Sequence, residues 1–186
     1  MHALEQDQSG REDDELLVVR CQLGEAEAFD TLIARWHRPL WTYIRRMTGR
    51  DEDAHDILQD VWIRAIRGIP RLRDGTRLRG WLFGITRRAL MDRLRRQYAA
   101  PAHDVLDDDQ ASVSFDSVDR EADLVALEAA LDAMPLGERE VLTLFYLRDL
   151  SLNDMAETLG IPVGTVKSRL FRARQTLRTR MERHER

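Results

Sequence analysis

Residues 150–174, Leu-Ser-Leu-Asn-Asp-Met-Ala-Glu-Thr-Leu-Gly-Ile-Pro-Val-Gly-Thr-Val-Lys-Ser-Arg-Leu-Phe-Arg-Ala-Arg, constrain the fold of this chain more than any other stretch. Gly160-Ile161-Pro162 punctuates two helical patterns, because glycine suits a helix C-terminus and proline the entry to the next helix. The segment therefore reads as a helix, a tight turn and a second, basic helix. On the second helix Val166, Leu170, Ala173 and Leu177 keep the i, i+4, i+7, i+11 spacing of one buried stripe. Gly164, Lys167, Ser168, Phe171, Arg172 and Gln175 then gather on the opposite face. Cations, a hydroxyl and an aromatic ring suit phosphates, base edges and a thymine methyl, as in helix-turn-helix DNA readers. A solvated amphipathic helix would share the periodicity. Phe171 set among arginines, and the short Gly-Ile-Pro break, favour the DNA reader.

The rest of the chain repeats the helical period. A helix is expected from Asp13 to Leu23, with Leu16, Leu17 and Val19 as apolar contacts. Ala26–Met47 reads as helical with a break or kink at Pro39. Another helix runs from about Asp51 to Arg67, and Gly68-Ile69-Pro70 stops it. An arginine-rich loop leads to a helix ending at Gln97. Beyond it come helices ending at Pro135 and Leu147, then the helix-turn-helix. No segment alternates apolar and polar residues between turn signals, so strands are not expected. The fold class is all-α, in two small helical domains joined by an acidic flexible linker. Residues 1–11 read as a disordered N-terminus, 12–98 as the first domain, 99–119 as the linker and 120–186 as the second domain.

Charge supports that division. The net charge of −4 looks wrong for a DNA binder, but it hides local fields. Between residues 61 and 97 there are 11 arginines against Asp74 and Asp92, whereas residues 103–123 hold eight acids against Arg120 alone. The acidic stretch has the composition of a spacer that keeps two domains apart. No apolar run approaches the roughly 20 residues that span a bilayer, and residues 1–15 are too polar and acidic for a targeting peptide. The single cysteine, Cys21, excludes an intrachain disulfide. A cytoplasmic location without membrane insertion is expected.

Catalytic chemistry is missing from the pattern. His2, His37, His55, His103 and His184 are scattered, and none has metal-ligand spacing. No glycine-rich loop follows a strand, so no nucleotide cradle is expected. Asp53, Asp56 and Asp60 line up at helical spacing without a histidine or glutamate to complete a metal site. No enzyme activity, metal or cofactor is expected.

Two further segments carry information. Residues 51–64 form an acidic helix on which Asp53, Asp56, Gln59, Asp60 and Arg64 recur three to four apart. By spacing alone this fits a solvated face whose first acids satisfy the helix dipole. Residues 80–96 interleave Trp81 and Phe83 with Arg87, Arg88, Arg93, Arg95 and Arg96. Cations that track a backbone, with aromatics that can stack on bases, suit single-stranded DNA, although Trp81, Leu82, Ile85 and Ala89 also read as core.

From about Asp14 to Arg180 the chain resembles bacterial sigma factors of the extracytoplasmic-function (ECF) group of the sigma-70 family. The matching pieces are Asp53–Trp62, Arg79–Ile85, Asp92–Arg96 and Val163–Ala173, in that order, with an acidic segment between. The resemblance implies sigma regions 2 and 4 and no catalysis by the chain itself. It implies core RNA polymerase as partner, with the largest-subunit clamp contacted by Asp53, Asp56, Gln59, Asp60 and Arg64. It implies promoter DNA as second partner. The −10 element would meet Arg71, Arg73, Arg77, Trp81, Arg87 and Arg88, and the −35 element Thr165, Lys167, Ser168, Phe171 and Arg172. An anti-sigma factor is a candidate third partner. Two positions depart from the family pattern: Arg88 stands where asparagine is frequent, and His55 where an acid is frequent. The first bears on −10 sequence preference and the second on clamp affinity. The alternatives are a sigma-like helix-turn-helix regulator and a mimic that titrates an anti-sigma factor, both acting without polymerase.

Overall fold

The computed structural model describes the backbone of residues 2–99, 118–147 and 150–184, and the side chains of residues 12–97, 125–147 and 150–182. Among these residues the fold is all-helical, with eight α-helices and no strand. They are α1 (His2–Gln22), α2 (Ala26–Thr48), α3 (Asp51–Gly68), α4 (Leu78–Ala99), α5 (Val118–Asp132), α6 (Leu136–Leu142), α7 (Leu152–Leu159) and α8 (Val163–His184). Short 3₁₀ turns, Ile69–Arg71 and Gly75–Arg77, link α3 to α4, and a π-helical turn, Thr143–Leu147, extends α6. Residues 100–117, which hold most of the expected acidic linker, lie outside the described residues.

Helices α1–α4 form the first unit. Along α2 a single stripe of Ala28, Leu32, Trp36, Leu40, Tyr43, Ile44 and Met47 is buried. It meets Ala54, Ile57, Leu58, Val61 and Ala65 of α3, and Leu82, Phe83, Ile85 and Leu90 of α4. Phe83 packs edge-on against Trp36 at 6.4 Å and Tyr43 at 5.5 Å, in the favoured T-shaped arrangement. Helix α2 continues unbroken through Pro39, where a break or kink is expected. Proline removes one backbone hydrogen bond, but Trp36 and Leu40 anchor the helix on both sides of it, so packing outweighs the loss.

Two expectations about α1 change. The helix reaches back to His2, across residues assigned from composition to a disordered N-terminus. Ala3, Leu4, Glu5, Gln6 and Gln8 are adequate helix formers, and Glu5 and Asp7 lie near the positive end of the dipole. Its inward face is Asp14, Leu17, Val18 and Cys21, while Leu16 and Val19 are exposed. The apolar run 16–19 supplies residues to both faces, and the i, i+3, i+4, i+7 set that contains Leu17 and Cys21 is the one that meets α2 and the 3₁₀ turn at Gly75. Gly75 is required there, since a Cβ would stand 2.8 Å from Glu15 Cα.

The second unit, α5–α8, closes around Leu131, Met134, Val141, Leu142, Leu144, Leu150, Met155, Leu159, Val166, Leu170 and Ala173. The two units are not kept apart. Helix α7 packs on α4 and α6 on α2, so the buried side chains form one continuous cluster. Gly80 of α4 faces Asp154 of α7 in this contact: a Cβ there would lie 3.4 Å from Asp154 Cβ, an ordinary van der Waals distance. The Thr158 hydroxyl donates to the Gly80 carbonyl at 3.2 Å inside this contact.

Candidate nucleic-acid interface

The helix-turn-helix is built by local chemistry. Ser151 caps α7 in a reciprocal box: its hydroxyl accepts from the Asp154 amide at 3.1 Å, and the Asp154 carboxylate accepts from the Ser151 amide at 3.2 Å. Gly160 ends α7 in the left-handed region at φ +66°, a conformation that costs other residues strain. The Pro162 carbonyl then accepts from Thr165 and Val166 and starts α8.

Val166, Leu170 and Ala173 turn inward, and Leu177 is half-buried. Lys167, Ser168, Phe171 and Arg172 are exposed together on the other face, as the spacing predicts. Thr165 is half-buried at its edge, and its carbonyl accepts from the Ser168 hydroxyl at 3.0 Å. Phe171 is 62% exposed, a large ring in water beside two cations. Arg174 is occupied elsewhere, over the rings of Phe145 and Tyr146 at 5.5 and 5.4 Å.

A second basic surface surrounds the start of α4. Gln22 pins the loop before it by donating to the carbonyls of Ile69 at 3.0 Å and Leu72 at 2.8 Å. The Asp74 carboxylate caps the following turn by accepting from the Thr76 amide at 3.0 Å. Arg71 and Arg73 are exposed and, with Gln22, Pro70 and Leu72, line an open cleft of 570 Å³. Trp81 is half-buried with its ring edge over Gly68, where a Cβ would come within 2.8 Å of it. Arg88 is exposed. Arg77 and Arg87 are engaged: Arg77 pairs with Glu157 of α7, and Arg87 Nε donates to Glu140 of α6 at 3.0 Å.

The acidic helix α3 separates into inward and outward groups. Asp53 is 8% exposed and faces α4, where it accepts from Arg93 Nη2 at 2.8 Å, Arg93 Nε at 3.3 Å and Gln97 at 3.2 Å. It therefore lies off the surface expected of it, held by partners one helix away. The Asp56 side chain is 71% exposed and Gln59 is exposed. Asp60 pairs with Arg64 at 2.6 Å, and Arg64 also reaches Asp92 at 3.5 Å. His55 lies in the open, its ring edge toward Trp41 and its Nδ1 2.8 Å from the Asp51 carbonyl.

Glu140, Tyr43 and Asp14 escape sequence reasoning. Glu140 is 2% exposed and accepts from the fully buried Tyr43 hydroxyl at 2.8 Å as well as from Arg87. Burial, and then the neighbouring Glu140 charge, push the Tyr43 phenol well above its ordinary value, which keeps it a donor. The available signal was an acid directly before the apolar run Val141-Leu142. Asp14 is buried beside Arg35, which lies 3.2 Å away. Burial raises its carboxyl above the usual range, and Arg35 and Arg79 oppose that shift. Among the described residues no group of histidine, cysteine and acidic side chains is arranged to hold a metal ion, and no helix is long and apolar enough to cross a membrane.

Comparison with known proteins bears on these surfaces. Residues 32–99 match the family model of sigma-70 region 2, and residues 124–177 that of sigma-70 region 4. The chain is 36% identical over 173 residues to the ECF RNA polymerase sigma factor SigM of Mycobacterium tuberculosis, covering 90% of this chain and 83% of SigM. It is 29% identical to the ECF RNA polymerase sigma-E factor of Haemophilus influenzae, covering 91% and 95%. Among solved structures it resembles CnrH, seen in complex with the cytosolic domain of CnrY, at a TM-score of 0.69 and 25% identity over 91% of this chain and 97% of the other. The fold also matches that of RpoE from Bartonella quintana, solved with the anti-sigma factor NepR, at a TM-score of 0.66 and 22% identity over 84% and 98%.

Proposed function

The chain belongs to the ECF group of the sigma-70 family, acting as an RNA polymerase sigma factor in transcription initiation, and from that premise we propose how its surfaces divide the work. The outer face of α3, with Asp56, Gln59, Asp60 and Arg64, docks on the clamp of core polymerase. Asp53 supports that face from beneath by tying α3 to Arg93 of α4. Its acids make complementary partners for a basic surface, and complementarity of this kind sets partner choice and encounter rate.

The loop before α4 and the helix itself take the −10 element. Arg71, Arg73 and Arg88 follow the phosphates, Trp81 offers a ring for stacking, and the cleft beside Arg71 and Arg73 accepts an unpaired base. Such capture offsets the few kcal/mol spent in unstacking a nucleotide. Arg77 and Arg87 join once released from their acids. Helix α8 enters the major groove at the −35 element, where Lys167 and Arg172 meet guanine edges or phosphates, Phe171 a thymine methyl, and Thr165 and Ser168 the backbone.

The observation that carries this reading is the exposed Lys167, Ser168, Phe171 and Arg172 face beside a helix-turn-helix whose other stripe is buried. The protein would work in the cytoplasm, where polymerase and promoters are, and an anti-sigma factor is a further partner by analogy with NepR and RpoE. Run-off transcription with core polymerase tests the reading: output from a promoter selected from genomic DNA should require this chain. Arg172→Ala should lower −35-dependent output about tenfold, the equivalent of one good base contact. Failure to stimulate transcription from any promoter in a genomic library would overturn it.

A further inference from the structure

Gln22 stands at the end of α1, 47 residues before Ile69 and 50 before Leu72, yet its amide ties those two carbonyls together. Nε2 donates to the Ile69 oxygen at 3.0 Å and to the Leu72 oxygen at 2.8 Å, which uses both hydrogens of the amide. These acceptors fix which end of the amide faces them, because the flipped arrangement would set Oε1 against two carbonyl oxygens. The Ile69 oxygen also accepts from the Leu72 amide at 3.1 Å, so the turn around Pro70 and Arg71 is held both from within the loop and from α1. Among the described residues Gln22 Oε1 accepts no hydrogen bond, and Gln22 is exposed on the wall of the cleft it shares with Pro70, Arg71, Leu72 and Arg73. Arg71 and Arg73 are cations suited to phosphate, whereas the Pro70 and Leu72 side chains are apolar. Oε1 is therefore the neutral side-chain group that can hydrogen-bond a base there.

We propose that Gln22 is a specificity-determining residue, which holds the loop through its amide hydrogens and selects the unpaired base through Oε1. Adenine carries an amino donor at C6 and cytosine one at C4, where guanine and thymine carry an oxygen. Oε1 accepts from the amino group. Against the oxygen it meets acceptor with acceptor, and both lose the hydrogen bonds they had to water. The cleft thus takes an amino-bearing base in preference to its oxo counterpart. This rests on the reading of the cleft as the site that accepts an unpaired base. The selection is built before DNA arrives, because the loop carbonyls have already turned the amide so that only its acceptor end is left.

The experiment uses holoenzyme and a genomic promoter whose −10 non-template strand is left unpaired. Abasic substitution, one position at a time, finds the captured nucleotide by the loss of affinity. At that position cytosine is compared with uracil and adenine with hypoxanthine, pairs that exchange the amino group for oxygen at almost constant shape. The wild type should bind the amino member of each pair about tenfold more tightly. Gln22→Lys keeps donors for Ile69 and Leu72 but has no acceptor, so the ratio should fall to within about twofold of one while the position stays sensitive to base loss. Gln22→Met has neither donor nor acceptor and adds no charge, and it should lose the ratio in the same way. A wild type that binds both members equally overturns the inference. So does a tenfold ratio that survives in either variant, the result expected if Gln22 only holds the loop. If no position responds to base loss, the reading of the cleft as a capture site is overturned, and the inference falls with it.

Discussion

Asp53 and Asp56 lie on the same helix three residues apart, yet their truncations should fail in opposite ways. Asp53→Ala removes the acceptor for two Arg93 nitrogens and for Gln97, and with it the tie between the start of α3 and the end of α4. A hydrogen bond to a charged partner contributes about 1.5–3 kcal/mol when its loss leaves a buried group unsatisfied. Arg93 is partly open to water and also lies 3.9 Å from Asp56, so it recovers some of that loss. Loss of a first-turn acid adds a few tenths of a kcal/mol. The expected cost is about 2 kcal/mol, which lowers the urea midpoint by roughly 1 M at a slope of about 2 kcal/mol per molar. Asp56→Ala removes an exposed carboxylate and should change stability by less than about 0.5 kcal/mol. Its effect should appear in the affinity for core polymerase, weakened about fivefold, or roughly 1 kcal/mol. Urea titration followed by circular dichroism, with polymerase binding measured at a temperature where both variants are folded, separates the two. A wild-type midpoint for Asp53→Ala, or a greater loss of polymerase affinity than for Asp56→Ala, would refute the assignment of Asp53 to the interior.

Phe171→Ala should change the melting temperature little while weakening binding of −35 duplex by holoenzyme, because the residue is mostly exposed. Gly68→Ala inserts a methyl within 2.8 Å of Trp81, so it should cost about 1–3 kcal/mol and shift the fluorescence of that tryptophan. Asp14 sets a pH dependence. Its folded carboxyl titrates above its unfolded value of 3.8, so its contribution to stability is full below that value and declines as pH rises through the folded one. Asp14→Asn should therefore remove that decline, and a wild-type curve matching the variant's from pH 3 to 7 would contradict the account.

The helix-turn-helix was legible because each of its signals is local. A capping serine, a left-handed glycine, a proline at the next helix entry and a 3.6-residue apolar stripe act within a few residues of one another. The arginine-rich loop after Gly68-Ile69-Pro70 follows for the same reason. Where apolar residues run together, as at 16–19 in α1, the sequence offers two faces and only the neighbouring helix chooses between them. Pro39 likewise carries a local signal for a break, and the helix with its buried stripe on either side continues through it.

Sequence by itself therefore determined the helical class, the inward stripes on α2, α3 and α8, the two basic segments and the family. Tertiary structure decided which charges are free. Asp53 is bound and Asp56 open, although their spacing is that of one helix face, because Arg93 and Gln97 approach from only one side. Arg87 and Arg77 meet Glu140 and Glu157 across separations of 53 and 80 residues, distances at which no periodicity speaks. A charge's role depends on its solvent and its partners, and both are supplied by chain segments remote in sequence.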